Sequence, residues 1–372
     1  MRVWVPSLQI SNACAFLLSA LGILAAPYAI WAFPITQRDD SIPRDSAPTE
    51  MAMGIQAELT QLQADAVASG EQTKRKADYF RSLGAIYFAR GDPRRALDAL
   101  DDALRLFRQI RDRAGEALTL ADLGSVWFAL GDKQKALEYD RQALPIWHEV
   151  GDYHGEAGTL ANIGEVLRAN DDPGSAIPFY EKALPLYRQA HDQLDEAACL
   201  NNTGLSYLAL NDSQTAFARF RRALDVYLQA GSKTGEATAL NNIGGAFDAR
   251  GDKKSALDFF DQALRAYRDD HNQAGEAATL NNIGHTYRDR GEPQMALQFY
   301  KQALPILHDI GDRRKEAATL NNMGLVYSDL GQSETALGLY QQALPIYREA
   351  GDSEGEAEAL KNIGREQEPR SR

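Results

Sequence analysis

The chain has 372 residues with 40 lysines and arginines against 52 aspartates and glutamates, which gives a formal net charge of -12. This balance argues against nucleic acid as a partner, because phosphate binding requires a basic stripe. A chain of this length usually forms two or more domains, but the internal repeat described below predicts growth by added units instead.

The amino-terminal segment, residues 1–33, is typical of an export signal. Arg2 precedes an apolar stretch at residues 13–33, and acidic residues Asp39 and Asp40 follow. Because about 20 apolar residues span a bilayer, the stretch is also long enough to be kept as an anchor. We therefore expect a signal peptide or a signal anchor, the latter attaching the chain to the membrane through residues 13–33. Either outcome predicts an exported protein, periplasmic or extracellular, with its repeats outside the cytoplasm.

Two further segments precede the repeats. Residues 34–47 contain prolines and mixed charges without apolar periodicity, which predicts a flexible linker. Residues 48–70 have Met51, Ile55 and Leu59 at helical spacing, which predicts a capping helix over the first repeat.

From residue 71 to residue 365 the sequence repeats with a period of 40 residues. The stretch EAATLNNIG at 276–284 returns as EAATLNNMG at 316–324, and it appears as EATALNNIG at 236–244. A fixed period predicts stacked units that each contact only their neighbours. Seven full repeats and a terminal capping helix fit this range, followed by a polar tail at residues 366–372.

Each repeat divides into two predicted helices. In the first helix a glycine lies within an apolar stripe, four residues after a leucine or phenylalanine and, in all but the last copy, three before another large residue. Since glycine costs about 1 kcal/mol relative to alanine inside a helix, its recurrence predicts that a neighbouring helix leaves no room for a side chain. These glycines are Gly84, Gly124, Gly164, Gly204, Gly244, Gly284, Gly324 and Gly364.

The second helix has alanines seven residues apart with a large apolar residue between them. Asp140 is the exception, and we expect it to weaken that contact in the second repeat.

The breaks between helices follow a Gly-Asp pattern, in which glycine takes the left-handed conformation and the next residue caps the following helix. Where glycine is missing, Asp171, His191, Asn211 and His271 are expected to take its place.

The pattern of Leu280, Gly284 and Tyr287 on one helix, then Ala296, Tyr300 and Ala303 on the next, resembles the tetratricopeptide repeat. The 40-residue period is similar to that of kinesin light chain and of bacterial repeat proteins linked to caspase-like protease domains. The resemblance implies an all-α fold, a right-handed superhelical solenoid of antiparallel helix pairs. It further implies that the first helix of each repeat lines a concave groove.

Recurring asparagines fall on that implied groove. An amide both donates and accepts, which suits pairing with the backbone of a bound peptide; alternatively, it bonds a neighbouring helix within the solenoid. The predicted peptide-binding residues are Asn162, Asn201, Asn202, Asn241, Asn242, Asn281, Asn282, Asn321, Asn322 and Asn362.

The sequence contains no catalytic signature. The six histidines lack metal-ligand spacing, and neither a phosphate loop nor a dinucleotide fingerprint occurs. We therefore expect no enzyme activity, no metal and no small-molecule cofactor. The predicted function is a protein–protein interaction scaffold or adaptor that binds a protein or extended peptide in the concave groove. The alternative is a sensory or regulatory subunit of a separately encoded effector enzyme such as a caspase-like protease.

Overall fold

A computed structural model describes residues 71–367. This range contains 15 α-helices and no strand, so the predicted all-α class is confirmed. The predicted signal peptide or anchor, linker and capping helix, at residues 1–70, lie outside the described residues, as do residues 368–372 of the predicted tail.

The helices follow one another with short breaks. They are α1 (Glu71–Ala89), α2 (Pro93–Ile110), α3 (Arg113–Ala129), α4 (Lys133–Val150), α5 (Tyr153–Arg168), α6 (Pro173–Gln189), α7 (Gln193–Ala209), α8 (Ser213–Ala230), α9 (Lys233–Ala249), α10 (Lys253–Asp269), α11 (Gln273–Asp289), α12 (Pro293–Asp309), α13 (Arg313–Asp329), α14 (Ser333–Glu349) and α15 (Ser353–Gln367). We call the odd-numbered helices A helices and the even-numbered helices B helices.

The described residues form two compact units, residues 71–199 and residues 200–367. In the first unit, α1 pairs with α2, α3 with α4, and α5 with α6, and α3 also contacts the A helices on either side. In the second unit, α9 pairs with α10, α11 with α12, and α13 with α14, and the A helices from α9 to α15 contact one another in order. Each unit is therefore a stack of antiparallel A/B helix pairs, as predicted.

The recurring A-helix glycine lies beneath a large side chain of the following B helix. A Cβ atom built on Gly284 would lie 2.6 Å from the Tyr300 ring, and one built on Gly244 would lie 2.6 Å from the Phe260 ring. Both rings are buried. The prediction that no side chain fits is confirmed, and the nearest atoms belong to a ring of the partner helix. Around Gly364 no such atom lies within 4 Å among the described residues.

A second ring-on-glycine contact joins successive repeats. The Tyr267 ring, near the end of α10, would lie 2.3 Å from a Cβ atom on Gly275, at the start of α11. The same contact recurs between Phe107 and Gly115, Trp147 and Gly155, Tyr227 and Gly235, and Tyr347 and Gly355. In three of these five repeats one ring covers the internal glycine and another covers the glycine of the next repeat, whereas in the other two the internal contact is made by Leu100 and by Asp140.

Ion pairs reinforce the same junctions. Arg188 at the end of α6 donates to Glu196 at the start of α7 over 2.6 Å, and Arg268 donates to Glu276 over 2.7 Å. The carboxylate also lies at the positive end of the A-helix dipole. The ion pair holds the end of the B helix against the start of the next A helix, and the helix dipole stabilises the carboxylate of that pair.

The helix breaks largely follow the sequence pattern. Nine glycines have φ between 65° and 83°, and the four predicted substitutes Asp171, His191, Asn211 and His271 have φ between 52° and 61°. Arg111, at φ 57°, is a fifth non-glycine residue in this conformation and was not predicted.

The capping prediction was correct for most helices but not for all of them. Asp252, for example, accepts a hydrogen bond from the Ser255 backbone N–H, which satisfies one free donor of α10. Glu292 and Gln332 make no such bond. Their longer side chains are not among those that favour this geometry.

The adjacent glycines Gly244 and Gly245 test the packing directly. We expect Gly244→Ala to lower the free energy of unfolding by about 1–3 kcal/mol, because its Cβ atom would overlap the Phe260 ring. Gly245→Ala should raise it by about 0.5–1 kcal/mol, since no atom lies within 4 Å and alanine favours the helix. Urea unfolding of both variants measures the difference, and equal effects would contradict the proposed contact.

Candidate functional site

The ten predicted asparagines occupy two positions on the A helices, one residue apart. We call one set the first-position asparagines, which are Asn201, Asn241, Asn281 and Asn321. We call the other set the second-position asparagines, which are Asn162, Asn202, Asn242, Asn282, Asn322 and Asn362. Only Asn162 belongs to the first unit. Because neighbouring residues of a helix point in different directions, the two sets have different surroundings.

Three of the four first-position amides bond the next A helix. Asn241 Oδ1 accepts from Thr279 Oγ1 at 3.2 Å and from Asn282 Nδ2 at 3.1 Å. Asn281 Oδ1 likewise accepts from Thr319 Oγ1 at 3.0 Å. These bonds favour the second of the two interpretations left open by the sequence, namely that this set holds repeats together.

The other two members of the first-position set, Asn201 and Asn321, are buried. Asn321 donates to Glu358 over 3.3 Å and accepts from Asn362 Nδ2 at 3.1 Å. Asn201 is 4 % exposed, and its Oδ1 atom accepts no hydrogen bond within residues 71–367. Neither amide is readily available to a ligand in this arrangement.

The second-position set is more accessible, except for Asn362, which is buried and donates to Asn321, so this predicted peptide-binding residue is not available to a ligand. The side chains of Asn202, Asn242 and Asn322 are half-buried and make no hydrogen bond to other described residues. Asn282 uses its amide nitrogen on Asn241, which leaves its oxygen available. Asn162 lines a small cavity in the first unit. Asn202, Asn242, Asn282 and Asn322 therefore form the candidate binding face of the second unit.

Charged side chains beside this face are mostly paired with each other. The Lys253 ammonium lies 3.0 Å from Asp248 and 2.8 Å from Asp289, and the Arg288 guanidinium lies 2.7 Å from Asp329. A ligand would therefore meet charged groups that already have partners, whereas the second-position amides of Asn202, Asn242 and Asn322 are free to bond it.

A cluster in the first unit departs from the repeat. His154 Nδ1 lies 2.7 Å from Asp192 Oδ2, and Asp195, 3 % exposed, lies beside them. Burial, and then the charge of Asp192, raise the pKa of Asp195 to about 7. Burial lowers the pKa of His154, but the hydrogen bond to Asp192 and the charges of Asp192, Asp195 and Asp152 together outweigh it, so the pKa is raised. The cluster is thus an ion pair with a second, proton-holding carboxyl group.

Sequence reasoning missed this cluster. The ligand-type atoms of His154, Asp192 and Asp195 lie within 4.8 Å of one another, yet the residues come from two successive repeats. A spacing rule within one helix cannot find them. The available signal was that Asp195 replaces the glycine found at this position in five other repeats. The direct hydrogen bond between His154 and Asp192 indicates a clamp between the two A helices.

Comparison with known families gives the class of the chain. A model of the tetratricopeptide repeat matches residues 76–149, 155–229 and 315–368, together more than half of the sequence. Two further tetratricopeptide repeat models match residues 277–307 and 201–271. The chain therefore belongs to the tetratricopeptide repeat family, as the sequence pattern predicted.

Solved structures show the same fold. The apo form of the quorum sensor NprR from B. thuringiensis is 17% identical over 85% of this chain and 88% of its own, with a TM-score of 0.64. A Rap protein complexed with Competence and Sporulation Factor is 16% identical over 80% of each chain, with a TM-score of 0.58. BtubC (BKLC) from P. vanneervenii is 20% identical over 61% of this chain and 94% of its own, with a TM-score of 0.55. At these identities the similarity concerns the fold alone.

Among proteins of curated function, none matches this sequence. Between residues 71 and 367, the helices do not combine the length and the apolar character needed to cross a membrane.

Alanine at two adjacent positions should separate the two asparagine sets. Asn241→Ala removes the acceptor of Asn282 and one of two acceptors of the Thr279 hydroxyl, which also donates to the Gly275 carbonyl, so we expect the free energy of unfolding to fall by about 1–2 kcal/mol. Asn242→Ala removes no hydrogen bond within the described residues and gains helix propensity, so it should change stability by less than about 0.5 kcal/mol or increase it. Urea unfolding measures both values, and a larger loss for Asn242→Ala would reverse the assignment.

Asp195 should make stability depend on pH. Because its folded-state pKa, about 7, exceeds the ordinary value of 3.8, its contribution is complete below pH 3.8 and is lost as pH rises through 7. The stability of Asp195→Asn relative to wild type should therefore increase by about 1–3 kcal/mol between pH 5 and pH 8. Asp225→Asn, which makes the same change at an exposed position outside the cluster, supplies the control. A flat difference for Asp195→Asn, measured by urea unfolding at each pH, would contradict the shift.

Proposed function

We propose that this protein is an interaction scaffold or adaptor that binds a protein or an extended peptide in a groove lined by its A helices. One observation supports this most strongly. Asn202, Asn242 and Asn322 place half-buried amides at the same position of three repeats, and those amides have no partner among the described residues. These amides are only partly buried, so water can pair with them in the free chain and the backbone of a bound chain can replace that water.

The spacing of the amides suits an extended peptide. Packed helices lie about 8–10 Å apart, and an extended chain advances about 3.3 Å per residue. One amide per repeat would therefore meet about every third peptide residue. Each free amide can donate to a backbone carbonyl and accept from a backbone N–H, which favours backbone pairing over recognition of one side chain.

Family membership supports a binding role over catalysis. The tetratricopeptide repeat is typically a non-catalytic scaffold. The charged groups beside the candidate binding face are mostly paired with one another. Such pairs can border a bound chain without acting as catalytic groups. We accordingly propose no reaction, no cofactor and no nucleic acid partner for this chain.

A regulatory subunit is the second candidate. Among the structures with the same fold, one is a quorum sensor and another is a complex with Competence and Sporulation Factor. On this proposal the bound ligand would alter how the chain engages a separately encoded effector, such as a caspase-like protease. A ligand-dependent change in effector binding would favour this candidate over a passive scaffold.

We further propose that the protein is exported, with its repeats periplasmic or extracellular. This proposal depends on the apolar stretch at residues 13–33.

Peptide selection on the full-length chain tests the binding proposal. We expect extended peptides to be enriched and to bind at least tenfold more weakly to a variant with Asn202, Asn242 and Asn322 changed to alanine. The matched control changes three exposed B-helix amides to alanine and should bind as wild type does. These control residues are Gln262, Gln302 and Gln342. If no peptide binds at high micromolar concentration, or if both variants bind alike, the proposed groove is wrong.

A further inference from the structure

Asp140 occupies a position that other repeats fill with an apolar or aromatic side chain. In this position the B helices otherwise have Leu100, Tyr180, Phe220, Phe260, Tyr300 and Tyr340. The carboxyl group is nonetheless as buried as those side chains, since Asp140 is 1 % exposed. It lies against the recurring A-helix glycine, because a Cβ atom on Gly124 would be 2.7 Å from Asp140 Oδ1. The second repeat therefore places a carboxyl group where its neighbours place a ring or a leucine.

The missing ring leaves a cavity. Its volume is about 20 Å³, and its lining includes Asp140, Ser125, Phe128, Asn162 and Glu165. A cavity needs about 10–15 Å³ by this measure to hold one water molecule. The space thus fits one group the size of a water molecule, and it extends to the second-position residue Asn162.

The two carboxylates of the cavity differ in their partners. Glu165 accepts hydrogen bonds from Arg168 at 2.9 and 2.5 Å and from the Tyr180 hydroxyl at 3.2 Å, so its charge is balanced. Asp140 Oδ1 accepts no hydrogen bond from the part of the chain that the structure describes. Burial raises the pKa of Asp140 well above the ordinary value. An unpaired buried carboxylate is costly, and a cation placed beside it would offset part of that cost.

We propose that this cavity binds a primary ammonium group, that of a lysine side chain of the bound protein or peptide. An ammonium group is compact and has three N–H donors. Around it lie acceptors of matching chemistry, namely the Asp140 carboxylate, the Asn162 amide oxygen and the Ser125 hydroxyl oxygen. The Phe128 ring adds a surface that attracts cations. The planar guanidinium group of arginine is too large for this space.

The proposal depends on the proposed function, because it assumes that the ligand passes Asn162. It specifies the partner further: a lysine would lie at the junction of the second and third repeats. The cavity belongs wholly to the first unit, so it does not depend on the second-unit asparagines. The alternative occupants, a water molecule beside a protonated Asp140 or a proton alone, predict no affinity for amines.

Titration of the ¹⁵N-labelled full-length protein with n-butylammonium at neutral pH tests the cavity without a partner. We expect saturable shifts of the Gly124 and Asn162 amide signals, with at least tenfold weaker binding to Asp140→Asn. Glu138→Gln removes an exposed carboxylate from the same helix and should bind as wild type does. The uncharged n-butanol and the larger methylguanidinium should produce no saturable shift. An absence of saturable shifts, or equal affinity in Asp140→Asn, would overturn the proposal.

The peptide selection distinguishes this failure from that of the proposed function. Peptides selected on wild type should be enriched in lysine, and those selected on Asp140→Leu, which copies Leu100 of the first repeat, should not be. Peptide binding without butylammonium binding would reject the ammonium site alone. Butylammonium binding without any peptide ligand would reject the groove and keep the cavity as an amine site.

Discussion

The contact between a B-helix side chain and an A-helix glycine is the constraint on which the rest of the structure depends. Each ring is buried against a backbone that has no side chain at that point, as Tyr300 is against Gly284. Two small helices cannot bury enough apolar surface alone, so the close approach and the stacking of repeats have to occur together. A second contact of the same kind, such as that of the Tyr267 ring with Gly275, joins one repeat to the next.

At two positions the repeat lacks the usual ring or glycine, and a buried carboxyl group takes its place. Asp140 replaces the ring within the second repeat and lines a cavity, and its Oδ1 atom accepts no hydrogen bond from residues 71–367. Asp195 replaces the glycine at a junction between repeats and forms a cluster with His154 and Asp192. Buried carboxyl groups lower stability unless they are paired or protonated. In the Asp195 cluster the hydrogen bond between His154 and Asp192 links two A helices, whereas Asp140 lines the cavity for which an ammonium ligand is proposed.

Much of the fold could be predicted from the sequence, because glycine, proline and capping residues determine where helices end. The left-handed residues Asn211 and His271 were found in this way, whereas Arg111 was not, since arginine gives no such signal. The site was harder to predict. Asn241 and Asn242 are identical in type and adjacent, and only the direction of each side chain shows that one bonds the next repeat. Contacts between residues about 40 apart, as in the His154 cluster, also leave no local pattern.

A double-mutant cycle on Gly284 and Tyr300 tests the central constraint most directly. The account predicts that Gly284→Ala lowers the free energy of unfolding in the wild-type background but not in the Tyr300→Ala background, where the obstructing ring is absent. The coupling energy should then be about 1–3 kcal/mol. If the effects of the two substitutions are additive within about 0.5 kcal/mol, the Tyr300 ring is not what excludes a side chain at Gly284. The account of how these repeats stack is then contradicted.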